Sequence, residues 1–352
     1  MTRRKLNVLH LVPATVSDFV RKDMVYLEKY APVKTSVMNV GWSGRRHLIL
    51  SLVSLIRMTL RSLIIRSKRP DLIHAHFLRS AFTAAMSGIP AVLTMHDSHV
   101  EMPLFWRTIL KLAARRCSII YVSNYNRECW APILGKQGTV VYHAIDTADY
   151  SPDGNTPTIR KSYLDGLGTS SFVVSMGAMT PVRGLHLVVQ AVAEVRKKGI
   201  DAGVVLKGYG GDPEYTARVE RLAARLNVPL MVITSFISDQ EMASMIASAD
   251  AFVRPTSVES FGIAVLEAQA CGTPVIITDC CSLKEVFSDS SLRFEPRDYK
   301  NLAEKIVEVL SDERLKSQLI ASGLKNASNL NWKRKINSYI EVYKGAISGI
   351  RP

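Results

Sequence analysis

Several devices that would point quickly to a function are missing from this sequence. The five cysteines, at 117, 129, 271, 280 and 281, include no Cys-x-x-Cys pair and follow no regular spacing. That pattern offers no zinc ribbon, dithiol redox centre or disulfide scaffold, and it suits reduced thiols in a cytoplasmic protein. No apolar run approaches the ~18 residues that a membrane span requires. The longest candidate, HLILSLVSLI at 47–56, ends at Arg57. The start, MTRRKLNVLHLVPA, imitates a secretory signal. Its apolar run is short, however, contains Asn7 and Pro13, and offers no small-x-small cleavage site, so a first buried strand is expected. Biased repeat tracts are absent as well. Negative charge is scarce, with 31 Asp and Glu against 45 Lys and Arg, a formal +14. Such an excess favours anionic partners: nucleic acid, phosphorylated substrates or an acidic membrane surface.

What is present is a long alternation. A chain of 352 residues holds about two domains at roughly 150 residues each. In the first half, strand patterns at 5–12, 33–39, 71–75, 90–94, 118–122 and 139–142 alternate with helical stretches near 18–29, 45–68, 78–87, 103–116 and 124–131. The segment SPDGNTPTIR, 151–160, has the composition of a linker. The alternation then restarts with strands at 171–176, 202–207, 229–233, 251–254 and 274–277. Helices are expected at 184–198, 213–226, 239–247 and 262–271, and the tail from 298 is helical. This order predicts two doubly wound parallel sheets facing each other across a cleft. Ligands in such sheets bind beyond the carboxyl ends of the strands.

Chemistry gathers at three of those strand ends. In VESFGIAVLEAQACGTPVIITD, 258–279, a helix begins near Gly262, and its first turn offers unpaired amides and a positive dipole to a phosphate. Glu267, one turn in, suits a pair of vicinal hydroxyls such as a ribose carries. Glu259, on the preceding loop, suits a sugar beyond the phosphates. A solvated helix residue and a capping carboxylate are the plain alternatives, and spacing alone leaves both open. A second strand end carries Gly177 and then Arg183-Gly184 at the head of a helix, where Arg183 is placed to clamp phosphate oxygens. The third, GVVLKGYGGDPEY, has Lys207, Gly208 and Gly210 after a strand. Its spacing fails the dinucleotide pattern G-x-G-x-x-G because residue 213 is proline.

Taken in order, these stretches resemble the nucleotide-sugar glycosyltransferases of the GT-B fold, specifically the retaining group called family 4. The resemblance runs through SDFVRKDMVYLEK (17–29), RPDLIHAHF (70–77), VLTMHD (92–97), IIYVSNYNRE (119–128) and VVYHAIDTADYSP (140–152). It continues through the Gly177–Gly184 turn, the Glu259-x7-Glu267 element and ACGTPVI (270–276). It implies two Rossmann-like domains: 1–155 for the acceptor, 156–335 for the nucleotide sugar, and a helix at 336–352 returning to the first. By resemblance Glu259 contacts the donor hexose, Glu267 binds the ribose, and the Phe261-Gly262-Ile263 backbone holds the diphosphate. Arg183 stands where lysine is usual, and His96 matches a histidine that reaches the transferred sugar. Ala178 departs from the pattern, since an arginine is typical there; Lys207 is the candidate to compensate.

His74 and His76 look like a metal pair, but they fall in a family segment without a metal. No Asp-x-Asp occurs in the chain, in keeping with phosphate charge met by cations and a helix dipole and with no metal cofactor. The function implied is transfer from a UDP- or GDP-sugar to a glycan or lipid-linked acceptor, and the pattern S-x-F-V in the first domain is associated with surface polysaccharides. A nucleotide-sugar 2-epimerase on the same fold is the first rival. A basic nucleic-acid binder is the second, and it leaves the glutamate element unexplained. Two stretches, 44–70 and 103–116, combine apolar residues with clustered Arg and Lys. With Phe105 and Trp106 at a headgroup boundary and a basic exposed side, they predict peripheral attachment to an anionic membrane at its cytoplasmic face.

Overall fold

A computed structural model describes residues 4–13, 16–41, 48–98, 104–150 and 156–349. The chain forms two units, Met1–His143 with Trp332–Pro352, and Ala144–Asn331.

In the first unit six parallel strands lie in the order β2-β1-β3-β4-β5-β6. They are β1 (Leu6–Val12), β2 (Val33–Asn39), β3 (Leu72–His76), β4 (Ala91–Met95), β5 (Ser118–Tyr121) and β6 (Thr139–Val140). The crossovers contain α1 (Asp18–Tyr30), α2 (Leu48–Lys68), α3 (Ala81–Ser87), α4 (Leu104–Ala114) and α5 (Asn124–Leu134). Central strands of a parallel sheet are covered on both faces and read as continuous apolar runs. β4, AVLTM, and β5, SIIY, fit this and are buried throughout. β3 is buried along its whole length too, although two of its five residues are histidine.

The second unit repeats the plan in the order β12-β11-β10-β7-β8-β9. It contains α6 (Thr156–Leu167), β7 (Ser171–Met179), α7 (Leu185–Lys197), β8 (Ala202–Gly211), α8 (Pro213–Leu226), β9 (Leu230–Ile233) and α9 (Asp239–Ser248). It continues with β10 (Ala251–Arg254), α10 (Ile263–Ala270), β11 (Val275–Thr278), α11 (Cys281–Phe287), β12 (Leu292–Phe294), α12 (Tyr299–Ser311) and α13 (Glu313–Asn329). Local signals start the helices. Asp212 accepts from the Glu214 amide at the head of α8, and Ser238 and Glu241 form a reciprocal capping box on α9. The last helix, α14 (Trp332–Ser348), belongs to the first unit.

Two stretches of the second unit differ from the sequence expectation. Residues 156–160 are the first turns of α6 and not linker. Pro157 sits where a helix leaves its N–H groups unpaired anyway, and Arg160 ties the helix to Asp250 by bonds of 2.9 and 3.0 Å. Residues 151–155 lie outside the described residues. Between 279 and 297, where no element was expected, stand α11 and β12. Both are too short for periodicity to reveal, and burial of Phe287 and Phe294 fixes them. The unit boundaries fall at 143/144 and 331/332, against the expected 155/156 and 335/336. Ile145 bonds back to Leu330 within the second unit, while Lys335, Tyr339 and Tyr343 are buried in the first.

The outer helices of the first unit also correct an expectation. The open side of α2 is apolar: Ile56, Leu60, Leu63 and Ile64 are each half exposed or more, and Arg57 and Lys68 stand among and beyond them. On α4, Phe105 is exposed but Trp106 is buried in the core, so it cannot meet a headgroup. Residues 44–47 and Pro103 lie outside the described residues.

Candidate active site

In the second sheet the strand order reverses at β7, which has β8 on one side and β10 on the other. Such a switch point opens a crevice at the carboxyl ends of the strands. Gly177 lies near the end of β7, Lys207 in the second half of β8, and Arg254 closes β10. The loop after β10 is strapped to the turn after β7: the Ser257 amide donates to Val182 O at 3.0 Å, and Arg183 Nη1 donates to Val258 O at 3.2 Å. Glu259 is thereby presented from a fixed loop.

Two guanidiniums meet on this carboxylate. Arg183 Nη1 lies 3.2 Å from Glu259 Oε2, and Arg254 donates to the same oxygen from Nε, at 3.0 Å, and from Nη2. Arg254 also donates from Nη1 to the Met176 carbonyl. Its side chain is 4 % exposed and that of Glu259 12 %. Burial pushes the Glu259 carboxyl up, but Arg254 and then Arg183 outweigh it and hold the group below the usual carboxylate range. A Cβ on Gly177 would stand 3.1 Å from Arg254 Nη1, so the strand end and the guanidinium fit closely.

The helix after the loop completes the crevice. Gly262 has φ +104°, and a Cβ there would come within 2.7 Å of Leu283 Cδ2, so the glycine is required by the fold as well as by any ligand. Phe261 buries its ring edge-on to Phe287, at 5.9 Å between centroids, which leaves the backbone around Gly262 and Ile263 to head α10. Glu267, in the second turn of α10, accepts from the Tyr150 hydroxyl at 3.0 Å. Burial, followed by the charge of Glu267, raises the Tyr150 phenol far above its ordinary range, so it acts as a fixed donor.

The structure thus brings Gly177, Arg183 and Glu259 together and places Phe261, Gly262, Ile263 and Glu267 on the adjoining segment. Lys207 is different: it is buried, its Nζ donates to the Gly208 carbonyl at 2.9 Å, and desolvation lowers its pKa. The guanidinium beside Gly177 is that of Arg254, which sequence reasoning passed over. Its signal was a lone arginine closing the buried strand AFVR. Tyr150 was passed over too, inside a stretch already singled out. His96 belongs to the first unit, where it follows β4. It is 8 % exposed and shares a 3.0 Å bond from Nε2 with His76 Nδ1.

Two family models match the chain: Glycosyltransferase Family 4 over residues 16–149 and Glycosyl transferases group 1 over residues 164–326. The chain belongs to the family 4-like glycosyltransferases of the GT-B fold. Among its relatives is an uncharacterized glycosyltransferase of Methanocaldococcus jannaschii, 26 % identical over 80 % of this chain and 77 % of the relative. A GDP-mannose-dependent alpha-(1-6)-phosphatidylinositol monomannoside mannosyltransferase of Mycolicibacterium smegmatis is 26 % identical over 68 % of this chain and 65 % of its own length. The fold of this glycosyltransferase is also that of Anabaena HepE, solved in complex with UDP and glucose. The two superpose with a TM-score of 0.80 at 16 % identity, over 97 % of this chain and all of the other.

Proposed function

We propose that this glycosyltransferase moves a sugar, with retained anomeric configuration, from a UDP- or GDP-sugar to a hydroxyl of a glycan or lipid-linked glycan, in the building of surface polysaccharide. The observation that carries this reading is Glu259, a buried carboxylate kept ionised by two guanidiniums at the switch point of the second sheet. An ionised carboxylate there accepts hydrogen bonds from the hydroxyls of the donor hexose. Glu267, steadied by Tyr150, receives the ribose hydroxyls. The amides at Phe261–Ile263 and the Arg183 guanidinium meet the charge that grows on the diphosphate as it leaves. In the reaction the bond from the anomeric carbon to the diphosphate oxygen breaks, and the acceptor oxygen bonds to the same face. The acceptor proton passes to the departing phosphate. With no Asp-x-Asp in the chain, the phosphates are held by these cations and amides, and no resident metal is required. Support for a nucleotide-sugar donor comes from the relatives named above.

Calorimetry and turnover separate the two glutamates. Glu267→Ala is expected to weaken binding of UDP or GDP by ~1.5–3 kcal/mol, the worth of a charged acceptor lost to a bound hydroxyl pair. Glu259→Ala is expected to leave nucleoside diphosphate affinity nearly intact and to impair turnover of the full donor. Equal losses of UDP or GDP affinity in both variants would sink this division of roles. Product formed from the nucleotide sugar without an acceptor would favour an epimerase.

The working place proposed is the inner face of the cell membrane, reached from the cytoplasm. Among the described residues no helix is long and apolar enough to cross a bilayer. The exposed apolar row of α2, with Leu104, Phe105 and Leu112 on α4, lies among the basic residues Arg57, Lys68, Arg107, Arg115 and Arg116. Apolar insertion and attraction to anionic lipid then act together, at about 1 kcal/mol per basic residue near the surface. Cosedimentation with vesicles containing anionic phospholipid is expected at low salt and is expected to fall sharply in Leu60→Asp/Leu63→Asp. Equal binding to neutral vesicles, or none at low salt, would remove the membrane from the picture.

A further inference from the structure

Five of the chain's eight histidines, His10, His74, His76, His96 and His143, are buried together in the first unit. The resemblance gives one of them, His96, a role toward the transferred sugar. His10 on β1 is in register with His74 on β3, and His76 lies two residues further on the same face. These strands flank the switch point of the first sheet, since β1 has β2 on one side and β3 on the other. His10 Nδ1 lies 2.9 Å from His76 Nε2, and His76 Nδ1 lies 3.0 Å from His96 Nε2. The rings stack at 5.2 and 5.3 Å between centroids, within 15° and 18° of parallel. Two nitrogens at the ends of this chain, His10 Nε2 and His96 Nδ1, are buried without a partner among the described residues.

A metal centre is the obvious competitor, because ring nitrogens of His10, His74 and His76 lie within 4.8 Å of one another. Ligand nitrogens on a tetrahedral zinc, at ~2.0–2.1 Å from the metal, stand roughly 3.3 Å apart. His10 and His76 are closer than that. Both nitrogens of His74 are taken, by the Tyr343 hydroxyl at 2.7 Å and by Thr94 Oγ1 at 2.6 Å. The imidazoles serve as one another's partners.

Burial first, then the neighbouring imidazoles and after them the Lys335 ammonium, hold His76 and His96 well below the usual histidine range; burial does the same for His10. A neutral ring has one N–H. Three rings joined by two bonds therefore have only two arrangements. If every N–H points toward His10, the unmatched donor is His10 Nε2, in a residue with no exposure. If every N–H points toward His96, the unmatched donor is His96 Nδ1, itself buried, but in a residue 8 % exposed that the resemblance places at the transferred sugar. A permanently orphaned N–H costs more than an orphaned acceptor, so the second arrangement is favoured.

We propose that His10 and His76 are positioning residues, which hold His96 as the Nδ1–H tautomer so that it donates a hydrogen bond to a sugar oxygen. The tautomer assignment rests on the geometry, and the role toward sugar rests on the function proposed above. The test is 15N NMR of the ring nitrogens in the full-length protein, together with turnover of UDP-glucose and GDP-mannose. His96 is expected as the Nδ1–H tautomer in the free protein. His10→Leu removes the donor to His76 Nε2 and is expected to shift His96 toward the Nε2–H form. For the donor that is turned over, kcat falls about fivefold to tenfold, the worth of one hydrogen bond, with KM little changed. His10→Asn, whose amide reaches the Nδ1 position, is expected to restore both readings. Matched melting curves for the two variants exclude simple unfolding. Wild-type His96 found as Nε2–H, or His96 signals unchanged in His10→Leu, would overturn the proposal. So would stoichiometric zinc binding that moves the His10, His74 and His76 signals. Absence of binding by any nucleotide sugar would instead count against the proposed function, and the tautomer reading would stand or fall separately.

Discussion

Between pH 7 and pH 5 the first unit is expected to lose stability steeply. The cause is the same buried cluster. Burial lowers the pKa of His10 to about 3 and holds His74, His76, His96 and His143 well below their ordinary value. In the unfolded chain each histidine takes up a proton near pH 6.5, whereas in the fold it does not. Stability is therefore full above that pH and is lost as the pH falls toward the folded values. For His10 the difference at pH 5 is about 2 kcal/mol, and the other four histidines act in the same direction. A whole domain is usually stable by only ~5–15 kcal/mol. Asp23 works in the opposite direction, because burial raises its pKa against the pull of Lys335, but it is one group against five. All four tryptophans, at 42, 106, 130 and 332, belong to the first unit, so tryptophan fluorescence reports on that unit alone. Urea midpoints followed by this signal are expected to drop steeply from pH 7 to pH 5. A midpoint that does not move would mean that the histidines are protonated within the fold.

The fold was legible because its signals repeat. Each apolar strand run, followed by a helical pattern, identifies one parallel crossover, and the capping residues Asp212 and Ser238 mark their helices independently of tertiary contacts. α11 and β12 were not legible, since seven and three residues complete no period and only the burial of Phe287 and Phe294 defines them. For the site, the ordered Glu259–Glu267 stretch was visible because a loop, a turn and a helix start lie consecutively in the chain. Arg254 was not. Its meaning depends on β10 lying beside β7, which brings it against Gly177, a residue far away in sequence. The histidine chain was hidden for the same reason: period two put His74 and His76 on one face, but His10 joins them only through the pairing of β1 with β3.

Arg254→Met is expected to cost ~3–5 kcal/mol of stability, as removal of one partner of a buried ion pair does, and to lower turnover by about a hundredfold. Of its two guanidiniums Glu259 would keep only Arg183, from a side chain 29 % exposed and bound through one nitrogen at 3.2 Å, beside the Ser260 amide. It would lose the two donors that fix its rotamer and most of the attraction that offsets its burial. The carboxylate would then be free to turn from the position in which it is proposed to receive the sugar. Arg254→Lys is expected to be nearly as damaging, because one ammonium cannot bond both Glu259 and the Met176 carbonyl in the directions a guanidinium fork supplies. Arg183→Ala should differ in kind. Its guanidinium faces the proposed diphosphate, so both donor affinity and turnover should fall while stability changes little. The double variant Arg254→Met/Glu259→Leu separates folding from catalysis. Replacing the whole buried pair by apolar groups is expected to recover most of the lost stability, whereas turnover stays low because the sugar contact is gone. Urea unfolding, kcat and UDP or GDP affinity measured on all four proteins decide the matter. Wild-type turnover in Arg254→Met would show that Glu259 needs no second guanidinium, and Arg254 would then be a residue of the core and nothing more.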